Sequence, residues 1–112
     1  MKYIDYTLGN NKYDNVRIIQ HSQQNAPNDV WFHLNEHSSA HLIFHNIYDK
    51  NMNRLRKDGT IYRMSSILKT HMKKKLCCHS NHIEIIYAFV KDIQLTMPIG
   101  TVQTQKDNII LI

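Results

Sequence analysis

The sequence has few of the residues that mark disulfide-stapled, fibrous or membrane-spanning proteins. Of its 112 residues, two are cysteine, three glycine and two proline. Cys77 and Cys78 are adjacent, so they can neither link distant segments nor supply the spaced pair that a zinc site needs. No stretch approaches the roughly 20 apolar residues of a membrane span. The opening MKYIDYTLGNN lacks the apolar core of a signal peptide. We therefore expect reduced thiols in a soluble cytoplasmic protein, with the nucleus as the alternative.

Acidic residues are scarce relative to basic ones. Fourteen Lys and Arg against nine Asp and Glu give a net charge of +5 and a pI near 9.3. Such a balance favours a polyanionic partner such as nucleic acid. Hydrophobic residues make up 42% of the chain, which is typical of a folded domain. A length of 112 residues predicts one domain, spanning 1–112.

The first half of the chain is patterned as strands. Residues 2–8 and 16–19, on either side of a turn rich in Gly and Asn, predict an opening β-hairpin. DVWFHL, at 29–34, alternates with a period of two, and AHLIFH, at 40–45, follows after a turn. Both are predicted strands, because alternation places one set of side chains on each face of a sheet.

The second half adds one principal helix. After a polar connection at 49–59, an apolar stripe of helical period runs through 60–76. Residues 82–90 form a largely apolar strand, and two brief strands, near 101–104 and 108–112, are predicted to form a terminal hairpin. The order predicts an α+β fold, with a mainly antiparallel sheet covered on one face by the helix.

Four histidines recur at every fourth position: His33, His37, His41 and His45. On a helix they would share one face, as the ligands of a metal ion would. The period-two alternation instead places them on two strands and the turn between them. The row is therefore not predicted to hold a metal, and His37 and His45 look incidental.

The remaining two histidines belong to a more specific pattern, in which NDVWFH is followed by SSAHLIF. This combination resembles the NFACT-R domain, the RNA-binding module of the NFACT proteins of ribosome-associated quality control. Its Ser-Ser-Ala turn is most similar to the stand-alone NFACT-R domain of small eukaryotic coiled-coil proteins. The matching positions are Asp29, Trp31, His33, Ser38, Ser39 and His41.

Other segments extend the resemblance over essentially the whole chain. LGNNKYDN resembles the family's glycine-led turn. HIEIIYAFV matches at Tyr87, although Ala88 stands where Thr is usual, and the closing segment matches through Gly100 and Val102. The resemblance implies binding of tRNA or ribosomal RNA. The alternative partner is the ribosome or a translation-associated protein. The resemblance implies no catalysis, cofactor or metal.

Two groups of residues are predicted to contact nucleic acid, RNA more than DNA. An aromatic surface of Trp31, His33 and His41 can stack an unpaired base. A basic ridge on the helix can neutralise phosphates, with Lys12 as a further contact. The ridge consists of Arg63, Lys69, Lys73, Lys74 and Lys75. Each group also has a structural interpretation: a buried Trp with hydrogen-bonded histidines, and lysines that complement the helix dipole.

Two other functions remain open. One is a protein-interaction module that docks on translation factors. The other is a metal-dependent enzyme using Asp29, His33 and His41, since two histidines and a carboxylate can hold iron or zinc. Against it, Asp29 and His33 lie four residues apart on a predicted strand, roughly 13 Å along its axis. The run from Cys77 to His82, C-C-H-x-x-H, is not a recognised zinc-finger spacing.

Overall fold

Seven strands and three α-helices make up the part of the chain that this computed structural model describes, residues 5–76 and 82–112. In chain order they are β1 (Tyr6–Leu8), α1 (Lys12–Asn25), β2 (Val30–Leu34), β3 (Leu42–Phe44), α2 (Met52–Lys57), α3 (Thr60–Leu76), β4 (Glu84–Phe89), β5 (Ile93–Thr96), β6 (Thr101–Thr104) and β7 (Asn108–Leu111). A single 3-10 turn, Val90–Asp92, joins β4 to β5. In this described part, no helix is long and apolar enough to cross a bilayer.

The principal sheet has five strands in the order β1-β3-β2-β4-β7, and each neighbouring pair is antiparallel. β2 lies at the centre, and β4 is also an interior strand. β5 and β6 form a separate antiparallel pair. The predicted α+β fold with a mainly antiparallel sheet is confirmed.

One face of the sheet is covered by α3, as predicted. Val30, Phe32 and Leu34 alternate onto this face and are almost completely buried against Met64 and Leu68 of the helix. Burying each such side chain contributes on the order of 1.5–3 kcal/mol. The period-two pattern of β2 and the helical period of α3 therefore meet in one core.

The opposite face is covered by α1, where the sequence predicted the second strand of a hairpin. Ile18 and Ile19 of this helix pack on Trp31, Ile43 and Ala88 of the sheet. The prediction of a β-hairpin over residues 2–19 is therefore wrong beyond β1. The domain has two apolar layers, one on each side of the sheet.

The physical reason for this error lies in the buried stripe of α1. Asn15, Ile18, Ile19 and Ser22 are its buried residues, at helical spacing, but two of them are polar. The hydropathy pattern therefore showed only a short apolar run, which is equally typical of a strand. The local signal for a helix was Asn11, whose side chain accepts hydrogen bonds from the first-turn amides as an N-cap.

Two further predictions are corrected. The polar connection at 49–59 contains α2, which Asn51 caps by accepting from the backbone N–H of Arg54 at 2.9 Å. The prediction of a terminal hairpin is wrong as well, because its two strands do not pair with each other. β6 pairs with β5, and β7 pairs with β4 at the edge of the principal sheet.

Candidate functional site

An open cavity of about 970 Å³ lies beside the end of β2. Its walls come from the loop before α1, the turn between β2 and β3, the turn between β5 and β6, and one side of α3. Its lining includes eight residues that the sequence linked to nucleic-acid binding or to the family resemblance: Lys12, Trp31, His33, Ser38, Ser39, His41, Gly100 and Val102. The fold thus gathers the greater part of the family-like motif around one space.

Trp31 and the two histidines form a packed group of rings at the floor of the cavity. The Trp31 Nε1–H donates to Nδ1 of His41 at 3.0 Å. The rings of Trp31 and His33 are stacked, with centroids 5.7 Å apart and planes 10° apart, and His33 meets His41 edge-on at 4.5 Å. Trp31 is only 3% exposed and His41 2%, whereas His33 is half-buried. Trp31 is therefore part of the core, and His33 is the ring of the group with the larger accessible surface.

Burial sets the charge of both histidines. Burial first, and the neighbouring His33 second, lower the pKa of His41 to about 3. Burial likewise lowers the pKa of His33, against the effect of a hydrogen bond with the backbone of Leu34. Both rings are neutral at pH 7, so the cavity floor is polar but uncharged. Because Nδ1 of His41 accepts from Trp31, the proton of this neutral ring lies on Nε2.

Asp29 lies apart from this group and ties three elements together. Its Oδ1 accepts from the backbone N–H of Asn46 at 2.9 Å, and its Oδ2 accepts from Ser22 Oγ at 3.0 Å. His45 Nδ1 is 3.2 Å from the same Oδ2, and His45 Nε2 is 2.7 Å from Thr7 Oγ1. His45 looked incidental in the sequence, and this is corrected: it links β1, β3 and the start of β2.

This geometry separates the residues of the suggested metal-dependent enzyme. Both oxygens of Asp29 are engaged by groups other than His33 and His41. Over residues 5–76 and 82–112, no group of three His, Cys, Asp or Glu side chains is arranged to hold a metal ion. The run that includes Cys77, Cys78 and His79 lies outside the described residues.

The predicted basic ridge is partly occupied by internal contacts. Arg63 forms an ion pair with Asp5, and Lys69 Nζ donates to the carbonyl of Ile112 at 3.0 Å. Lys73 is exposed on α3. The side chains of Lys74 and Lys75 lie outside the described part of the chain. The ridge therefore has less freedom to contact phosphates than its sequence suggested.

Tyr87 is also away from the cavity, on the face that α3 covers. It is 4% exposed, and its hydroxyl accepts from Arg56 Nε at 2.8 Å. Arg56 belongs to α2, whose last turn also carries Arg54 and Lys57, all three exposed. The sequence reasoning missed this basic turn because it took RLRK as part of a polar connection.

Asn15 is a second residue that sequence reasoning missed. It lines the cavity and is only 7% exposed, yet its Oδ1 has no hydrogen-bond donor among the described residues. Gly9 lies directly against it, since a Cβ at Gly9 would be 1.9 Å from that oxygen. Gly9 also donates its backbone N–H to the carbonyl of His41 at 2.9 Å. The family-like turn LGNN is therefore built into the wall of the cavity, and only glycine fits there.

Comparison with known proteins supports the fold. No family model and no curated protein matches this chain. Among solved structures, the C-terminal part of the fibronectin/fibrinogen-binding protein from Streptococcus suis is similar, with a TM-score of 0.70 and 13% sequence identity. The match covers 96% of this chain and 39% of that chain. At this identity the likeness shows a shared fold alone, and the resemblance to NFACT-R stays a prediction.

Proposed function

We propose that this chain is an NFACT-R-like domain that binds nucleic acid, structured RNA in preference to duplex DNA, and catalyses no reaction. The observation that carries the proposal is the cavity of about 970 Å³ that gathers eight of the residues linked from the sequence to nucleic-acid binding or to the family resemblance. An unpaired base in an RNA loop can be splayed out into such a space. A base inside a DNA duplex first has to leave its stack, which is the reason for preferring RNA.

Electrostatics support a polyanionic partner in the same way. The net charge is +5, and several cationic side chains are exposed on the described surface. They include Lys12 at the cavity, Arg54 and Lys57 on α2, Lys73 on α3, and Lys91 and Lys106. Each cation that meets a phosphate releases a condensed counterion, so affinity is expected to fall as salt rises.

The test is a fluorescence-anisotropy titration with tRNA and with duplex DNA of similar length, over roughly 50 to 200 mM salt. We expect tighter binding to tRNA and a linear fall of log K with log salt. Lys12→Ala should reduce that slope by about 1, the change expected when one phosphate contact is lost. Lys50→Ala is the matched control, because this ammonium already pairs with Asp58 at 2.9 Å. Absence of binding at low salt, or an affinity independent of salt, would contradict the proposal.

A second candidate, docking of a protein partner such as a translation factor, has its own supporting observation. β7 lies at an edge of the principal sheet and exposes Ile109 by 51% and Leu111 by 63%. An apolar edge strand can pair with an extended segment of another protein. The test is a pull-down after nuclease treatment, comparing the wild type with Ile109→Lys. A partner that survives nuclease but is lost with this variant supports docking, whereas one lost with nuclease supports RNA binding.

A further inference from the structure

Asn15 holds an unsatisfied acceptor at the wall of the cavity. It lies in the first turns of α1 and is 7% exposed, and its Oδ1 has no donor among the described residues. A buried acceptor without a donor is unfavourable, because it has lost its water without gaining a hydrogen bond. The close approach of the Gly9 backbone holds the oxygen in place without satisfying it. A ligand whose N–H group reaches this oxygen at the cavity wall would satisfy it.

His41 offers the complementary donor. Its Nδ1 accepts from Trp31 at 3.0 Å, so the proton of the neutral ring is on Nε2. The structure shows no acceptor for this Nε2–H within the described residues, and His41 lines the cavity. The Trp31 hydrogen bond therefore fixes the tautomer and orients the ring. One donor and one acceptor, both held in place by their surroundings, belong to the same cavity.

His33 adds a surface for stacking. Its ring is nearly parallel to that of Trp31, with planes 10° apart, so the indole supports one side of the imidazole. The residue is half-buried and lines the cavity. A planar ring placed against His33 would extend an existing stack, an arrangement that proteins use for unpaired bases.

We propose that the cavity receives one unpaired nucleobase of an RNA strand, with Asn15 and His41 bonding its edge and His33 stacking on its ring. This inference rests on the RNA binding proposed above and specifies its site. All four bases present a donor beside an acceptor on the Watson–Crick edge, which complements an acceptor and a donor on the protein. The volume of about 970 Å³ is within the range of small-ligand pockets. Exposed Lys12 lies at the same cavity, where it can meet the phosphate of that nucleotide.

The test compares two RNA hairpins that differ only in the loop, one intact and one with abasic loop positions. Wild-type protein should bind the intact loop more tightly by roughly 5- to 150-fold, as for other stacked bases. Asn15→Leu should lower the affinity for the hairpin with the intact loop about tenfold and change the affinity for the abasic hairpin little. Asn25→Leu is the matched control, since it is an exposed asparagine at the far end of the same helix.

A measurement on the wild-type protein keeps the test independent of how the variants fold. Photocrosslinking a hairpin with 5-iodouracil in its loop should label His33 or its immediate neighbours in the cavity. Equal affinity for the two hairpins, or a crosslink confined to α2 and to residues of α3 that do not line the cavity, overturns the nucleobase site and leaves RNA binding in place. If neither hairpin binds at low salt, the proposed function fails and this inference fails with it.

Discussion

The stability of the domain should fall as the pH drops from 8 to 5, because two histidines are buried in the neutral form. Burial lowers the pKa of His41 from 6.5 to about 3, and it lowers the pKa of His33 as well. Between these values the unfolded chain binds a proton at position 41 and the folded chain does not. Unfolding is then favoured by protons, so stability is complete above pH 6.5 and is lost progressively toward pH 3.

The size of the effect follows from the pKa values. At pH 5 the unfolded histidine is 1.5 pH units below its ordinary pKa of about 6.5, and each unit corresponds to about 1.36 kcal/mol. His41 alone should therefore remove about 2 kcal/mol of stability between pH 8 and pH 5. No discount for solvent screening is needed, since the residue is 2% exposed. His33 acts in the same direction, and 2 kcal/mol is a large part of the roughly 5–15 kcal/mol that stabilises a typical domain.

Urea unfolding monitored by tryptophan fluorescence measures this directly, because Trp31 is the only tryptophan and is buried beside His41. His41→Asn is the informative variant. Its amide oxygen can still accept from the indole N–H, but the side chain does not titrate. The loss of stability between pH 8 and pH 5 should shrink by about 2 kcal/mol in this variant. His37→Asn, at an exposed position, is the control and should leave the pH dependence unchanged. Equal pH dependence in His41→Asn and the wild type would refute the reasoning.

Five further substitutions test other parts of the fold by the same unfolding measurement. Gly9→Ala should lower the free energy of unfolding by about 3 kcal/mol, because its Cβ would lie 1.9 Å from Asn15 Oδ1. Gly59→Ala, where a Cβ meets nothing within 4 Å, should cost only the roughly 1 kcal/mol of a left-handed backbone; equal costs would contradict this contrast. Asp29→Ala should cost about 3 kcal/mol by leaving its three partners without an acceptor, and Asp29→Asn clearly less. Ile109→Lys, 51% exposed, should change stability by less than about 0.5 kcal/mol, so a larger loss would show that this edge is part of the core.

Local patterns predicted the strands and the helix whose buried side chains are uniformly apolar. β2 has Val30, Phe32 and Leu34 on one face, and α3 was predicted over the same residues, 60–76, that it occupies. α1 was missed because Asn15 and Ser22 occupy half of its buried stripe. Both are buried for reasons beyond the helix itself: Ser22 donates to the carboxylate of Asp29, and Asn15 lines the cavity. A sequence pattern built on hydropathy cannot recognise a core position that is itself occupied by a polar side chain.

Strand pairing and the cavity depend on contacts between distant segments, which local patterns do not contain. Alternation identified the strands near 101–104 and 108–112 without indicating that each pairs with a different sheet. The cavity joins the loop at 9–12, the turn at 36–41 and the turn at 99–102. The resemblance to NFACT-R named residues in all three segments. It could not show that their side chains share one space.

The structural and binding interpretations of the Trp31 motif depend on the same hydrogen bond. Trp31 packs in the core with Ile43 and Ala88, and its N–H needs a partner there. His41 supplies that partner through Nδ1, and this forces the proton of its neutral ring onto Nε2. His41 lines the same cavity as Asn15, whose Oδ1 has no donor among the described residues. In the site proposed above, a tryptophan buried for stability thus prepares the donor for the nucleobase. His41→Asn separates the two roles, since its amide oxygen keeps an acceptor for the indole while the shorter side chain places no donor at the position of Nε2: it should fold and lose the preference for an intact RNA loop over an abasic one.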